Sequence, residues 1–253
     1  MAGQVTSAAE ELAGLIRSSE RVVALTGAGV SVPSGIPDFR TPGKGLWAKV
    51  DPMAVATIDA FHRDTKRFWD FYRPRFHDLA DKEPNSAHEV LAELERRGLL
   101  EAVITQNIDR LHRKAGSEEV IEVHGSIATA SCTSCPASYP LEQVESLFDA
   151  DGIATCTGCA GKVKPDVVLF GEMLPAEAMA RADELCSAAD LLLCVGSSLE
   201  VYPVAGLPEV TLGRGGRIAI VTRSSTPYDG DAVVRLSGDV ADELQAVLAA
   251  LDG

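Results

Sequence analysis

Short runs of apolar and β-branched residues recur along the chain, and polar or glycine-containing segments separate them. Unbroken apolar runs of this length are typical of strands that are buried on both faces, as in parallel sheets. The strands predicted in this way cover residues 21–26, 102–105, 167–170, 191–195 and 217–221, with a shorter run at 120–123.

Amphipathic helical patterns lie between several of these runs. Ser7 with Glu10, and Ser86 with Glu89, are spaced as capping boxes, in which each side chain bonds the other residue's free backbone amide. A further helix is expected to start after Pro175, because proline is favoured at the start of a helix. Strands that alternate with helices predict an α/β fold built on a Rossmann-like, doubly wound parallel sheet.

Two segments interrupt this alternation. Residues 41–84 are rich in aromatic and charged side chains, and residues 126–165 hold two cysteine pairs. We expect these segments to form one smaller inserted domain that is part helical and part zinc ribbon. The larger Rossmann-like domain then comprises residues 1–40, 85–125 and 166–253.

Composition and charge narrow the class of protein. A hydrophobic content of 46% supplies a packed core, whereas a net charge of -14 argues against nucleic-acid binding, which needs a clustered positive surface. No apolar run approaches the roughly 20 residues of a membrane span, and the first residues lack a signal-peptide pattern. We therefore expect a cytoplasmic protein that binds neither nucleic acid nor membrane. The acidic surface is compatible with lysine-rich protein partners.

Four of the six cysteines form two C-x-x-C pairs: Cys132 with Cys135, and Cys156 with Cys159. Paired cysteines at this separation are typical of four-cysteine zinc sites, in which each pair turns two thiolates towards one ion. Redox-active cysteine pairs are the alternative interpretation. A site with four protein ligands leaves zinc no open position, so the predicted role of the metal is structural and any reaction must take place elsewhere.

Three polar clusters follow predicted strands. The first is the Gly-Ala-Gly turn at 27–29, where a phosphate-binding loop and a simple tight turn are both possible, because Val32 replaces the third glycine of the dinucleotide fingerprint. The second is the polar run at 105–112, and the third is His124. Ligands of open α/β sheets bind at the carboxyl ends of the strands, where all three clusters are expected to lie.

These clusters, together with other segments, resemble the motifs of a known family. The segments are 27–40, 105–109, 124–125, the two cysteine pairs, 165–172 and 196–199. They resemble sirtuin motifs of the bacterial type, in sirtuin order, over nearly the whole chain from Arg21 to Val240. The resemblance implies an NAD-dependent enzyme that removes acyl groups from protein lysine side chains and releases nicotinamide and acyl-ADP-ribose. NAD would be a co-substrate, and one zinc ion would be structural.

The resemblance also implies roles for individual residues. His124 matches the general base and Asn107 a second catalytic residue, although a histidine with satisfied hydrogen bonds is the alternative for His124 alone. The other four histidines are interpreted as structural residues with satisfied hydrogen bonds, although His88 and His112 lie on segments that carry motifs. Thr222 stands where the family commonly has asparagine, which puts the affinity for NAD in doubt. The positions that match the family's NAD contacts are Gly27, Ala28, Gly29, Asp38, Phe39, Arg40, Gln106, Asn107, Ile108, Asp109, Gly196, Ser197, Ser198, Thr222 and Val240.

The substrate implied by the resemblance is an acyl-lysine protein or peptide. Its backbone would lie between two segments of the chain, with Gly171 and Glu172 on one side and Leu199 and Val201 on the other. Val168 and Phe170 would line a tunnel for the acylated side chain. Residues two apart share one face of a strand, so packing of both side chains into the core is the alternative.

One pair of residues bears on the acyl group. Tyr72 and Arg75 resemble the Tyr-x-x-Arg pair of sirtuins that remove succinyl and malonyl groups, where a guanidinium and a phenol bind the distal carboxylate. Pro74 is expected to break or begin a helix at this point. A solvated arginine at a helix end is the alternative for Arg75. The predicted activity is therefore deacetylation with desuccinylation or demalonylation.

Two other functions stay open at this point. An enzyme of the same fold could transfer ADP-ribose to protein as a mono-ADP-ribosyltransferase. A catalytically silent module could bind NAD or zinc in order to sense redox state or recruit partners. The mass of the products separates the first from deacylation, and release of nicotinamide excludes the second.

Overall fold

A computed structural model describes residues 7–38 and 50–253. The helices are α1 (Ala8–Ser18), α2 (Pro52–Val55), α3 (Ile58–Arg63), α4 (Thr65–Ala80), α5 (Ser86–Arg96), α6 (Leu111–Lys114), α7 (Leu141–Val144), α8 (Ala176–Ala188), α9 (Leu207–Gly213) and α10 (Val240–Asp252). The strands are β1 (Val22–Thr26), β2 (Ala102–Thr105), β3 (Val120–Glu122), β4 (Gly125–Cys132), β5 (Ser138–Pro140), β6 (Val163–Val167), β7 (Leu191–Val195), β8 (Arg217–Val221) and β9 (Ala232–Leu236).

The larger sheet has six parallel strands in the order β3-β2-β1-β7-β8-β9. The chain builds outwards from β1 in one direction through β2 and β3, and then returns to the other side of β1 with β7. Thr26 at the end of β1 is level with Thr105 on β2 and Val195 on β7. This order confirms the predicted Rossmann-like α/β fold and brings the loops after β1, β2 and β7 to one edge.

The two faces of this sheet pack against different helices. Along β1, Val22 and Ala24 point into a core shared with α1, α5 and α10, whereas Val23 and Leu25 point into a core shared with α8 and α9. Burial of successive residues on opposite faces explains why the sequence of this strand is apolar throughout. The sheet is therefore a rigid support for the loops at its edge.

The helix starts agree with the sequence prediction at two positions out of three. Ser7 and Glu10 form the predicted capping box, and α8 follows Pro175 directly. The prediction for Ser86 and Glu89 was wrong. The N-cap of α5 is Asn85, whose side chain also donates to Val30 O and Ser34 Oγ, both at 2.9 Å. These tertiary hydrogen bonds fix the start of the helix one residue earlier.

The strand predicted at 167–170 is also not part of the parallel sheet. Only Val167 belongs to a strand, β6, which pairs with β4 in a separate three-stranded antiparallel sheet of order β5-β4-β6. Beyond it, Phe170 makes an isolated bridge with Thr57 and is 49% exposed. Val167 and Leu169 are buried and Val168 is half-buried, so the run is apolar although it is not a strand of the parallel sheet.

A third core joins the smaller sheet to the helices before it. Phe61, Phe68 and Trp69 from α3 and α4 pack against apolar residues of β4 and β6, and the Trp69 indole donates to Val163 O at 3.2 Å. This shared core supports our proposal that residues 41–84 and 126–165 form one small domain. No helix among the described residues is long and apolar enough to span a membrane.

Candidate active site

Two glycine loops meet at the edge of the parallel sheet. The Gly27 amide donates to Val195 O at 3.1 Å, and the Gly29 amide donates to Gly196 O at 2.8 Å. A Cβ added to Gly29 would lie 2.7 Å from the same Gly196 oxygen, and Gly196 itself has a φ of +61°. The glycines are thus required for backbone-to-backbone packing of the loops after β1 and β7. Two amides that a phosphate-binding loop could offer are already bonded within the protein.

A buried hydrogen-bond network lies directly beneath these loops. The Ser31 hydroxyl donates to Asp109 Oδ2 at 2.7 Å and accepts from Asn107 Nδ2 at 3.0 Å. Asn107 Nδ2 also donates to Gly27 O at 3.3 Å, while the second oxygen of Asp109 accepts from the Leu111 amide at 2.9 Å. The predicted carboxamide and carboxylate are therefore brought together, and Ser31 is the group that joins them.

His88 completes this network, and its local geometry sets its protonation state. Its Nδ1 accepts from the Asn85 amide at 3.3 Å, so the proton of the neutral ring resides on Nε2, which lies 3.3 Å from Ser31 Oγ. Burial lowers the pKa of His88 to about 4, while the nearby Asp109 carboxylate acts in the opposite direction. A neutral His88 thus donates to Ser31, and Ser31 in turn donates to Asp109.

A second buried histidine adjoins the first. His112 packs edge-on against His88 with ring centroids 4.9 Å apart, and its Nε2 lies 2.9 Å from the Thr26 hydroxyl. Thr26 donates onwards to Thr105 Oγ1 at 2.8 Å. Burial lowers the pKa of His112 to about 3, so its ring is also neutral near pH 7. Both buried histidines belong to the polar centre beneath the loops.

The sequence did not assign Ser31, His88 or Thr26 to the site, because their partners are distant along the chain. Ser31 and His88 are separated by 57 positions, and Thr26 and His112 by 86. The only local signal for Ser31 is its place just after the Gly-Ala-Gly turn. His88 lies three residues after the N-cap Asn85, a spacing that predicts its local capping bond but not its contact with Ser31.

His124 has the geometry of a general base. Its Nδ1 lies 3.0 Å from the carbonyl oxygen of Gln106, and because a carbonyl can only accept, Nδ1 carries the proton of the neutral ring. Nε2 is then an unprotonated acceptor with no partner in the part of the chain that the structure describes. Burial lowers the pKa of His124, against an opposing effect of the hydrogen bond to Gln106. The ring is therefore neutral and able to accept a proton near pH 7.

Gln106 connects all three strand-end loops. Its side chain donates to Ser197 Oγ at 2.9 Å and to Thr26 O at 3.3 Å, while its backbone carbonyl accepts from His124. Ser197 Oγ in turn accepts from the Leu199 amide at 3.2 Å. One side chain thus fixes the spacing between the ends of β1, β2 and β7.

The remaining NAD-assigned positions lie around this centre or beyond it. Thr222 follows β8 at the same edge of the sheet and is buried, as is Val240 at the start of α10. Ile108 accepts through its carbonyl from the Ile127 amide at 3.1 Å and packs against the third core. Asp38 and Ser198 are half-buried. Phe39 and Arg40 lie outside the described residues.

The segment assigned to substrate binding is held on both sides by backbone hydrogen bonds. The Val168 amide donates to His124 O at 2.9 Å, while Phe170 exchanges two bonds with Ala56 O and the Ile58 amide, at 2.9 and 3.1 Å. Val168 is half-buried and Phe170 is exposed. Phe170 is therefore not a core residue, and it lies on a segment that is anchored directly to the candidate base.

The structure also describes the segment predicted to lie on the other side of the substrate, which contains Leu199 and Val201, and the residues Gly171 and Glu172. Leu199 is buried with a φ of +53°, Val201 is half-buried, and Gly171 is exposed with a φ of +91°. The carboxylate of Glu172 accepts from Lys164 Nζ at 3.1 Å and from the Leu169 amide at 2.8 Å. Lys164 had not been singled out in the sequence.

Tyr72 and Arg75 both lie on α4. The expectation that Pro74 breaks or begins a helix was wrong, because α4 runs from Thr65 to Ala80 with Pro74 exposed in its interior. Tyr72 stacks on Phe76, and burial raises the pKa of Tyr72 to about 12. The Arg75 guanidinium lies 3.6 Å from the ring centroid of Phe71 and donates to the Phe71 carbonyl. Arg75 is thus a packed cation within the helix and not a solvated helix end.

The four paired cysteines form one cluster in the smaller sheet. Their sulfur atoms all lie within 4.8 Å of one another, with 3.5 Å between Cys132 and Cys159 and 3.6 Å between Cys135 and Cys156. Four thiolates at about 2.3 Å from a tetrahedral zinc ion would be roughly 3.8 Å apart, so the donor set and its spacing fit the metal. All four are free thiols, at separations well beyond a disulfide bond of about 2.05 Å.

Hydrogen bonds to sulfur support the same interpretation. The amides of Ser134, Gly158 and Gly161 approach Cys132, Cys156 and Cys159 at 3.3 to 3.4 Å. The hydroxyl of Tyr139 also donates to Cys156 Sγ, at 3.1 Å. Donors of this kind stabilise thiolates, which are the ligand form of cysteine.

The doubly wound sheet, the polar centre at its switch point and the separate cysteine cluster define an α/β protein of the dinucleotide-binding class. Comparison with known proteins makes this more specific. The model of the Sir2 family matches residues 27–203. An NAD-dependent protein deacetylase of Caldivirga maquilingensis is 43% identical over 252 residues, covering 99% of this chain and 96% of the relative. The chain therefore belongs to the Sir2 family, which confirms the sirtuin resemblance.

Other relatives and solved structures agree. An NAD-dependent protein deacetylase of Thermotoga maritima is 41% identical over 94% of this chain and 96% of its own. A Sir2 variant solved with a deacetylated p53 peptide and 3'-O-acetyl ADP-ribose is 40% identical, with a TM-score of 0.90 over 95% of this chain and 97% of its own. A structure described as Sir2Tm bound to a propionylated peptide has a TM-score of 0.87 at 39% identity, with coverage of 95% and 97%.

Proposed function

We propose that this protein is an NAD-dependent protein-lysine deacylase with His124 as its general base. The observation that carries the proposal is the state of the His124 ring, whose Nδ1 proton is held by the Gln106 carbonyl while Nε2 is left to accept a proton. His124 is bonded to Gln106, in the same loop as Asn107 and Asp109, and its available Nε2 argues against a histidine that merely satisfies its own hydrogen bonds. The relatives named above are protein deacetylases, which supports the same activity.

The residues at the sheet edge fit NAD. Asn107 uses its amide hydrogens within the protein, while its Oδ1 has no donor among the described residues and can accept from a carboxamide or a ribose hydroxyl. Gln106 and Ser197 hold the loops together around this position. When bound, NAD supplies the ribosyl carbon that receives the acyl oxygen, with nicotinamide as the leaving group. His124 Nε2 takes the proton of a ribose hydroxyl, because a neutral imidazole is the strongest base placed there.

The substrate we propose is an acyl-lysine in an extended peptide. The segment with Val168, Phe170, Gly171 and Glu172 would pair with it on one side, and Leu199 with Val201 on the other, in the manner of an added strand. Phe170 is exposed on a segment that is bonded directly to the backbone of His124, which supports this assignment. One solved relative is described as bound to an acetylated peptide.

We infer that acetyl-lysine is the principal substrate and that succinyl- and malonyl-lysine are accepted as well. Support for the acidic acyl groups comes from α4, where neither the Tyr72 hydroxyl nor the Arg75 guanidinium has an acidic partner among the described residues. Their spacing of three residues places both side chains on one face of the helix. A relative from Thermococcus sibiricus, 40% identical, is named a protein deacylase.

Product masses test the activity and its alternatives together. Acetyl-, succinyl- and unmodified-lysine peptides are incubated with NAD, and all products are identified by mass spectrometry. Deacylation gives nicotinamide, an acyl-ADP-ribose and a lighter peptide. A peptide heavier by one ADP-ribose would establish a mono-ADP-ribosyltransferase instead, and absence of nicotinamide would establish a silent NAD or zinc module.

A single substitution tests the acyl preference. Arg75→Met removes the guanidinium and keeps the length of the side chain, so desuccinylation should fall at least tenfold while deacetylation changes little. Arg67→Met, on the exposed side of the same helix, is the matched control. Equal losses on the acetyl and succinyl peptides would exclude the carboxylate pocket.

A further inference from the structure

Lys164 lies on β6 with its side chain directed inwards. Only 15% of the side chain is exposed, and Nζ donates to Pro165 O at 3.0 Å, Val167 O at 2.9 Å and Glu172 Oε2 at 3.1 Å. An ammonium group has three hydrogens, so its donor capacity is fully used within one short segment. Lys164 therefore closes the segment 165–172 on itself.

Glu172 completes this closure from the other end. Its Oε2 accepts from the Leu169 amide at 2.8 Å in addition to Lys164, and its own amide donates to Leu169 O at 3.0 Å. Its side chain is 23% exposed. The carboxylate is thus committed to the interior of the segment, which leaves it poorly placed to bind a substrate directly.

Successive residues of the segment 165–172 bond to two different sets of partners. Inward groups at Val167 and Leu169 bond to the Lys164–Glu172 pair, whereas the amides of Val168 and Phe170 donate to His124 O and Ala56 O. Alternate backbone groups of the segment therefore bond to the ion pair. The backbone groups between them bond to His124, the candidate base, and to the loop that contains Ala56. Movement of the ion pair would be transmitted to both.

We propose that Lys164 is a positioning residue that holds the peptide-binding segment and the backbone of His124 in register through Glu172, without contacting the substrate. The inference rests on the proposed function, in which the segment containing Glu172 pairs with the backbone of the substrate. Removing one member of a largely buried ion pair leaves the other charge without its partner. The segment then moves towards solvent, so the affinity for the peptide falls more than the affinity for NAD.

The test measures peptide and NAD binding separately. The dissociation constant of a fluorescein-labelled acetyl-lysine peptide is measured by fluorescence anisotropy, and that of NAD by titration calorimetry. Lys164→Met should raise the peptide dissociation constant about tenfold, leave that of NAD within twofold, and raise KM for the peptide more than it lowers kcat. Lys164→Arg, which keeps the charge, should recover most of the loss.

Lys162→Met is the matched control for the loss of a lysine. It lies two residues earlier, and its Nζ makes a single hydrogen bond to the His62 carbonyl at 3.3 Å. Its peptide affinity should equal that of the wild type. Glu172→Gln retains the size of the side chain and supplies a second variant should Lys164→Met fail to fold.

Peptides of different charge show whether Glu172 positions the segment or contacts the substrate directly. If Glu172 acts through the segment, Glu172→Gln weakens binding by the same factor for peptides with neutral and with basic residues around the acetyl-lysine. A loss confined to basic peptides would show direct contact and overturn the proposal, as would wild-type peptide affinity in both Lys164→Met and Glu172→Gln. Failure of the wild-type protein to bind acetyl-lysine peptide at all would instead contradict the proposed function.

Discussion

Replacement of Gly29 by alanine tests the contact on which the site is built. The added methyl group would lie 2.7 Å from Gly196 O and 2.8 Å from Gly196 Cα, distances that real Cβ atoms do not show. Both neighbours are backbone atoms, so neither can rotate away as a side chain could. Gly29 has no positive φ, and the whole effect of the substitution is therefore steric.

The expected loss of stability follows from the distance by which the loops after β1 and β7 must move apart. They need to part by about 0.7 Å to reach ordinary contact at 3.4 Å, which stretches the 2.8 Å hydrogen bond from the Gly29 amide to Gly196 O. Overpacking costs roughly 1–3 kcal/mol and a weakened hydrogen bond about 1 kcal/mol, so the free energy of unfolding should fall by roughly 2–4 kcal/mol. For a chain of this size that corresponds to a decrease in Tm of roughly 4–16 °C.

Gly14→Ala provides the matched control. Gly14 is an exposed residue in the interior of α1, and a Cβ there would meet nothing within 4 Å. Alanine at this position should stabilise the protein by about 0.5–1 kcal/mol. Both substitutions restrict the unfolded chain equally, so their difference isolates the contact between the loops.

Urea denaturation measures both free energies, and titration calorimetry measures NAD binding. We expect Gly29→Ala to lose stability and NAD affinity together, and Gly14→Ala to gain stability with NAD affinity unchanged. A Gly29→Ala protein that unfolds within about 0.5 kcal/mol of the wild type would refute the described packing, since most surface substitutions lie in that range.

Three further predictions concern the buried groups and the metal. Ser31→Ala removes the donor to Asp109, so urea denaturation should show a loss of about 1–3 kcal/mol; no loss would mean that another donor replaces it. Burial lowers the pKa values of His88 and His112 to about 4 and about 3, so the unfolded chain binds more protons below pH 6.5. The free energy of unfolding should therefore fall as the pH decreases from 6.5 towards 4, by up to about 1.4 kcal/mol per pH unit for each ring, and a flat profile would contradict both shifts. Removal of zinc by a chelator should lower Tm, and adding zinc back should restore the wild-type Tm. If Tm is unchanged after complete removal of zinc, verified by atomic absorption, a structural role for the metal is excluded.

Sequence patterns predicted the elements whose causes are local. The apolar runs of β1 and β7 are buried on both faces, and the cysteine spacing follows from two tight turns around one site. The alternation of strands and helices predicted a parallel, doubly wound sheet, although not the order of its strands. These features need no knowledge of contacts between distant segments.

The predictions that failed depend on distant contacts. Asn85 became the N-cap of α5 because its side chain bonds the loop after β1, and Pro74 is tolerated because it lies on the exposed side of α4. In the run at 167–170, Val167 and Leu169 are buried in the third core, but Phe170 faces outwards and the run is not a strand of the parallel sheet. Where the candidate site is concerned, Ser31 and His88 were missed because only the folded chain brings them together.

The family's motifs located most of the site, whereas the structure supplied its hydrogen bonds. His124, Asn107 and Asp109 were placed from the sequence, but the protonation state of His124 depends on the Gln106 carbonyl, and that of His88 on the Asn85 amide. The bond between His124 and Gln106 joins separate loops, so motif spacing carries no information about it, whereas the bond between Asn85 and His88 is a local capping contact at the start of α5.

The unprotonated Nε2 of His124 is the atom on which the proposed reaction depends, and one comparison tests its role directly. Acetyl-lysine peptide and NAD are incubated with the wild-type protein, with His124→Ala and with His62→Ala, in which an exposed histidine of α3 is removed, and the deacetylated peptide is quantified by mass spectrometry. Loss of a general base should slow turnover by about 10²–10⁴-fold in His124→Ala and leave His62→Ala at the wild-type rate. A folded His124→Ala protein that turns over as fast as the wild type would contradict the account.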